Sequence, residues 1–278
     1  MQVNNKLRSL APVALQKQEF EWISKFLYER TGIALNDGKQ ALVMGRLDKR
    51  LRKRNLTSYS AYFALLGRPG YEDETTAAID LLTTNETYFF REPKHFEFLQ
   101  KTVFPQYARL RGIRIWSAAS SSGEEAYTIA MTLAEHFPAD GWEVIGTDIS
   151  TRVLEKAQRA LYPMSAAEKI PLFLLKKYCL RGLEEFEDFF LVDSILRKKV
   201  HFSSVNLIEN LPDLGLFEVI FLRNVMIYFD METKKKLVQR LYEKLRPGGY
   251  FIISHSETLN GINSLLKLVG PSIYRKDS

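Results

Sequence analysis

The chain has 278 residues, 46% of them hydrophobic, with ordinary glycine and proline usage, so it can bury a sizeable core and fits one large domain with a smaller companion. Its single cysteine, Cys179, excludes an internal disulfide or a cysteine-rich metal cluster and suits a reducing compartment. A formal net charge of +6 points to an acidic partner without bearing on the fold.

Up to about Pro12 there is no periodic signal, and the segment reads as a frayed end. Phe20, Ile23, Phe26, Leu27 and Arg30 keep helical spacing, with Thr31-Gly32 as the stop. After Asn36-Asp37, Met44, Leu47 and Leu51 form an apolar row, while Arg46, Lys49, Arg50, Lys53 and Arg54 share another face of the same helix. That basic stripe reads either as a solvated face or as a docking surface for an acidic helix or phosphate. Two more helical patterns, over 58–66 and 74–82, are separated by Gly67-Arg68-Pro69-Gly70. Nothing before Thr83 reads as a strand, so the first part is expected to be an all-helical domain over 1–83. The stretch TTNETYFFRE then sets three aromatics, Tyr88, Phe89 and Phe90, beside polar groups just before Pro93 opens another helix. Its aromatics read as an interface core or as walls of a site.

Residues 113–137 change the pattern. Ile113, Ile115 and Trp116 make a short buried strand, Ser117 to Gly123 a turn of small residues, and Ala126, Ile129, Ala130, Leu133, Ala134 and Phe137 one apolar helical stripe. This is the first half of a βαβ unit, where ligands sit at the carboxyl end of the strand. A second strand ends in Asp148, about 25 residues past Gly123, where an acidic group holds ribose hydroxyls in dinucleotide-type sites. The loop lacks G-x-G-x-x-G, and Glu124-Glu125 at the helix start would repel a diphosphate while suiting a cationic or zwitterionic ligand. That favours S-adenosylmethionine over NAD.

The βαβ rhythm breaks over 164–199, read as a small antiparallel β insertion. It resumes with strands at 200–205 and 217–222, a helix from Met231 to Leu245, a Pro247-Gly248-Gly249 turn, a strand at 250–254 and a closing hairpin turning at Gly270-Pro271. The expected fold is α/β: a Rossmann-like sheet of the S-adenosylmethionine-dependent methyltransferase type over 84–278, with the N-terminal helical domain and the β-subdomain insertion. The histidines His95, His136, His201 and His255 show no ligand spacing, so each reads as a surface or core residue and no metal is expected. No window approaches the ~18 apolar residues of a membrane span and no signal-peptide pattern appears, so a soluble cytoplasmic protein is expected.

TTNETYFFRE, IWSAASSSGEEAYTIA, GTDIS, FSSVNL, FLRNVMIYFD, LRPGGYFIISHSE and VGPSIYRK occur in that order over nearly the whole chain. Together they resemble the CheR family of chemotaxis receptor methyltransferases. The resemblance implies transfer of a methyl group from S-adenosylmethionine to glutamate side chains in the cytoplasmic helices of chemoreceptors, leaving S-adenosylhomocysteine. It implies cofactor contacts at Asn85, Thr87, Arg91, Glu125, Asp148, Asn206, Leu207, Arg223 and Asn224, and places Arg91 and Tyr228 near the methyl-transfer centre. It also gives the stripe Arg46, Lys49, Arg50, Lys53 and Arg54 a purpose as a docking surface for the acidic receptor helices. A monomer that binds no nucleic acid is expected. A nucleic-acid methyltransferase fits less well, because Arg223-Asn224-Val225-Met226 stands where an Asp/Asn-Pro-Pro-aromatic sequence is common and no stacking platform is evident. A non-catalytic cofactor-sensing module is the remaining alternative.

Overall fold

The computed structural model describes residues 14–108, 112–138, 140–262 and 265–277; the expected frayed end lies outside the described residues. Two compact units, Met1–Thr84 and Asn85–Ser278, meet along the chain between Thr84 and Asn85.

The first unit contains helices α1 (Lys17–Thr31), α2 (Gln40–Lys53), α3 (Tyr59–Phe63) and α4 (Glu72–Leu82). A reciprocal capping box between Gln16 and Glu19 starts α1, and Gly32, left-handed at φ 74°, ends it by donating to the Tyr28 carbonyl at 2.8 Å. Phe20, Ile23 and Leu27 from α1, Val43, Leu47 and Leu51 from α2, and Tyr59 and Tyr62 from α3 fill one apolar core.

The basic face of α2 differs from its expectation. Glu74 of α4 is fully buried, and Arg50 grips it with Nε to Oε1 at 2.8 Å and Nη2 to Oε2 at 2.5 Å. Arg54 Nε donates to the same Oε2 at 2.7 Å, and Tyr62 to Oε1 at 2.8 Å. Arg46 donates to the Leu82 and Thr83 carbonyls at 2.7 and 3.0 Å and to Thr84 Oγ1 at 3.0 Å. Three cations of the stripe therefore hold α4 against α2. The expected five-residue docking face is corrected on this point, because a buried carboxylate requires its own countercharges. Lys49 and Lys53 are exposed.

The second unit opens with α5 (Lys94–Phe98), which passes through a π-turn over Leu99–Val103 into α6 (Phe104–Tyr107). Then follow β1 (Ile113–Ser117), α7 (Glu124–Ala134), β2 (Trp142–Asp148), α8 (Thr151–Arg159), β3 (Leu161–Pro163), α9 (Met164–Ala167), α10 (Leu172–Tyr178), β4 (Cys179–Arg181), β5 (Phe189–Val192) and α11 (Ser194–Arg197). The chain continues with β6 (Val200–Ser204), β7 (Phe217–Leu222), α12 (Met231–Lys244), β8 (Leu245–Ile253), β9 (Leu266–Gly270) and β10 (Ile273–Lys276).

The main sheet has the order β6-β2-β1-β7-β8-β10-β9. Strands β6, β2, β1, β7 and β8 are parallel, and β10 runs antiparallel to both β8 and β9 as the closing hairpin. All six residues of β7 are buried, as a strand covered on both faces requires. Strand order reverses at β1, with β2 and β6 on one side and β7 and β8 on the other, so the carboxyl ends of β1 and its neighbours form the crevice where such sheets bind ligands.

Strands β3, β5 and β4 form the small antiparallel sheet in that order. It begins at Leu161, before the expected boundary at Met164, because Ala160 turns left-handed (φ 55°) and ends α8 early. Strand β8 begins at Leu245 rather than at Tyr250. The Pro-Gly-Gly stretch bulges out of the pairing with β7, where Phe217 faces Leu245 and Val219 faces Tyr250, and Gly248 is left-handed at φ 75°. Among the described residues, no helix is long and apolar enough to cross a membrane.

Candidate cofactor site

Every strand bordering the crevice delivers a polar residue where it ends. Strand β1 ends at Ser117, β2 at Asp148, β7 leads into Arg223-Asn224, β8 into Ser254, and β6 into Asn206-Leu207. The small-residue loop after β1 is stitched to both neighbouring strands: Ala118 N donates to the Phe221 carbonyl and Ser120 N to the Thr147 carbonyl, each at 2.8 Å. Gly123 closes the loop with φ 94°. A Cβ there would lie 2.8 Å from Ala157 Cβ and 2.9 Å from Tyr162 Oη, so only glycine lets α7 start this close to α8 and β3. Tyr162 in turn donates to the Ser122 carbonyl at 2.7 Å.

Asp148 is 8% exposed, and its oxygens accept the backbone N–H groups of Ser121 and Ser150, both at 2.9 Å. Ser121 is left-handed (φ 47°), and its hydroxyl donates to the Asn85 carbonyl at 2.9 Å. One residue thus connects Asn85, the loop and the acid at the end of β2.

A second network centres on Arg223, which is 6% exposed. Its guanidinium donates to Glu125 Oε2 at 2.7 Å, to Glu92 Oε2 at 3.1 and 3.3 Å, and to the Arg91 carbonyl at 2.5 Å. Glu125 also accepts from Ser117 Oγ at 2.7 Å. The other oxygen of Glu92 accepts from Ser254 Oγ at 3.0 Å, and Ser254 Oγ accepts from Asn224 Nδ2 at 2.9 Å. Burial pushes the Glu92 carboxyl up, but Arg223, Ser254 and the His255 N–H outweigh it and bring it below the ordinary range. Asn224 sits at φ 59°, a conformation asparagine tolerates. Its N–H and that of Val225 both donate to Glu257 at 3.0 Å. Burial raises the Glu257 carboxyl despite these backbone donors.

The residues expected at the site fall into groups. Asn85 and Asp148 are joined through Ser121, and Glu125, Arg91, Arg223 and Asn224 through the guanidinium network. Asn206 follows β6 and turns on itself, accepting from Ile208 N at 3.3 Å, and Leu207 is buried beside it. Thr87 is half-buried in the segment before Phe89. Arg91 is half-buried, donates to the Glu86 carbonyl at 2.9 Å and lies over the Tyr88 ring at 5.5 Å. Tyr228 ends a single 3-10 turn after β7 and is half-buried. Among the described residues, no hydrogen bond or ring contact joins Tyr228 to Arg91.

One open reading is settled and one expectation changes. Phe89 is fully buried against Tyr162 at 4.9 Å and Phe190 at 5.8 Å, and Phe90 packs on Phe96 at 5.7 Å; these rings belong to the core, and only Tyr88 is exposed. Nor are Glu124 and Glu125 open charges awaiting a cation. Glu125 is bound to Ser117 and Arg223, while Glu124 accepts from Ser122 Oγ at 2.8 Å, with burial raising its carboxyl.

Glu92, Ser254 and Glu257 are missed by sequence reasoning, although they organise the site. Their only local signal is membership of the motifs that contain Arg91 and His255. Two of the four scattered histidines also converge: His95 and His255 have ring centroids 4.7 Å apart, beside Glu92.

The arrangement fits an adenosyl cofactor at the level of chemistry. The carboxylate at the end of β2 is already oriented by backbone donors, as a ribose acceptor should be. Ser120 Oγ and Ser150 Oγ, in the loops that flank it, are buried polar atoms without a partner among the described residues.

Comparison with known proteins agrees. Residues 85–274 match the family model "CheR methyltransferase, SAM binding domain", and residues 18–83 match "CheR methyltransferase, all-alpha domain". The chain is 40% identical to a protein named chemotaxis protein methyltransferase 2 from Pseudomonas aeruginosa, covering 93% of this chain and 92% of that one. Chemotaxis protein methyltransferases from Salmonella typhimurium (40% identical, covering 94% and 91%) and Escherichia coli (39%, covering 94% and 92%) are similarly close. With both domains matched in order, the chain belongs to the CheR methyltransferase family and binds S-adenosylmethionine.

Proposed function

We propose that this protein transfers the methyl group of S-adenosylmethionine to glutamate side chains in the cytoplasmic helices of chemoreceptors, forming glutamyl methyl esters during chemotactic adaptation in the cytoplasm. The observation that carries this reading is the match of one chain to both CheR domains, alongside relatives named as chemotaxis protein methyltransferases. The cofactor supplies an electrophilic methyl on a cationic sulfur. Asp148 takes the ribose hydroxyls, Asn206 reads the adenine edge by its amide, and Asn85, Thr87, Glu125, Leu207, Arg223 and Asn224 complete the pocket. Arg91 orients a carboxylate, and Tyr228 walls the transfer centre against water.

No general base enters this reading, because a glutamate carboxylate is already ionised at neutral pH. What the residues supply is alignment of nucleophile, methyl and leaving group. Lys49 and Lys53 are the proposed contacts to acidic receptor helices, with Arg46, Arg50 and Arg54 shaping that face from behind. Incubation of receptor with methyl-labelled cofactor tests the reading: label that moves to the receptor and leaves as methanol in base identifies a carboxyl ester. Base-stable label would identify N-methylation, and absence of transfer would identify a cofactor-sensing module.

A further inference from the structure

We propose that Glu92, His95 and His255 form a binding site for a divalent cation of the zinc class, placed so that the cation competes with Arg223 for the Glu92 carboxylate. One ligand atom from each residue lies within 4.8 Å of the others. His95 Nδ1 and Glu92 Oε2 are 3.4 Å apart, about the edge of a tetrahedron with ~2.1 Å metal bonds. Two imidazoles and a carboxylate are a ligand set that zinc accepts with a fourth position left open.

His95 is the independent observation. It has no exposed surface, and neither ring nitrogen makes a well-formed hydrogen bond among the described residues, although the Pro271 carbonyl lies near the ring. A buried imidazole in that condition is costly, and a ligand between it and Glu92 would satisfy it.

His255 supplies access. It is exposed, and its Nδ1 lies 3.2 Å from Ser272 Oγ, the kind of outer contact that fixes a ligating ring. The charge balance also favours a cation. Glu92 and Glu125 face the single guanidinium of Arg223, which leaves a formal −1 in this network.

Occupancy has a consequence for the cofactor. Glu92 Oε2 is the oxygen that Arg223 holds at 3.1 and 3.3 Å, so a cation bound there takes an acceptor from the residue next to Asn224. The competition rests on the proposed placement of Arg223 and Asn224 in the cofactor pocket; the metal site itself does not.

Cobalt(II) titration of the full chain, followed by visible absorption, tests the site, with zinc as the displacing ion. The expected result is one equivalent of tetrahedral cobalt(II), with affinity lowered at least about tenfold by His255→Gln, on the scale of lost metal-site contacts, and unchanged by His136→Gln. His255 is chosen because it is exposed, whereas replacing His95 alters the core. Absence of a tetrahedral spectrum, or equal affinity in wild type and His255→Gln, overturns the site. Calorimetry with S-adenosylhomocysteine then tests the competition: saturating zinc should weaken binding in the wild type and leave it unchanged in His255→Gln. Unchanged binding in zinc-loaded wild type overturns the competition. Failure of the metal-free chain to bind S-adenosylhomocysteine overturns the cofactor reading instead, and the cobalt spectrum still decides the metal site.

Discussion

Asp148 is both a loop anchor and the proposed ribose acceptor, so its two roles have to be separated experimentally. Replacing it with alanine should weaken S-adenosylhomocysteine binding by about 1.5–3 kcal/mol, the scale of hydrogen bonds to a charged group, as read by calorimetry. The same change strands the N–H groups of Ser121 and Ser150. Asp148→Asn, which keeps one acceptor oxygen, should therefore recover much of the lost stability and less of the lost affinity. Unchanged affinity in Asp148→Ala would remove this residue from the site. Glu74 carries a pH signature of a different kind. Burial pushes its carboxyl up, but Arg50, Tyr62 and Arg54 outweigh that and bring it down to about 2 from an ordinary 4.5. A folded value below the unfolded one stabilises the protein above the unfolded pKa, and that contribution is lost as pH falls from about 4.5 through about 2. At neutral pH, Glu74→Gln should cost about 3–5 kcal/mol, because two arginines lose a buried partner. In denaturant titrations the gap between wild type and variant should close as pH approaches 2.

At the scale of elements, the strand-loop-helix of β1 and α7 depends on one backbone conformation. Gly123→Ala adds a Cβ 2.8 Å from Ala157 Cβ at a left-handed position. The expected cost is about 1–3 kcal/mol for overpacking, measured by urea unfolding, with cofactor affinity falling as the loop shifts. Helix α2 makes the opposite kind of prediction. Lys49→Glu with Lys53→Glu should raise the KM for receptor while leaving melting temperature and cofactor affinity unchanged. Arg50→Glu should instead destabilise the helical unit, since it sets a second acid against Glu74. If the lysine pair has no effect on receptor KM, the proposed docking face is wrong. Helical periodicity could not make this distinction. It places five cations on one face, but the acid that pairs with two of them lies on α4, 20 to 24 residues away from Arg54 and Arg50.

For the whole molecule, a net charge of +6 and the acidic substrate proposed above imply that association depends on screening. Raising ionic strength should increase the KM for receptor and leave that for cofactor nearly unchanged, because buried contacts are poorly screened; equal sensitivity of both would contradict an electrostatic docking step. The sheet, its helices and the motif residues were legible in the sequence because their signals are local: period, turn chemistry, and an acid at a fixed distance from a glycine. Glu92 and Ser254 were not, since their partners lie 131 and 162 residues away and only the topology of the sheet joins them. The histidine pair was hidden for the same reason. Ser121 combines local and long-range effects in one side chain: a left-handed backbone that glycine would relax, and a hydroxyl that clips the carbonyl of Asn85, the first residue of the second unit, to the cofactor loop. For Ser121→Gly, about 1 kcal/mol of conformational relief would offset a hydrogen bond of about the same size. Such a substitution would pass unnoticed in a melting screen, yet it would uncouple the entry of this unit from its ligand, and faster amide exchange around Asn85 in the cofactor-bound protein would reveal it.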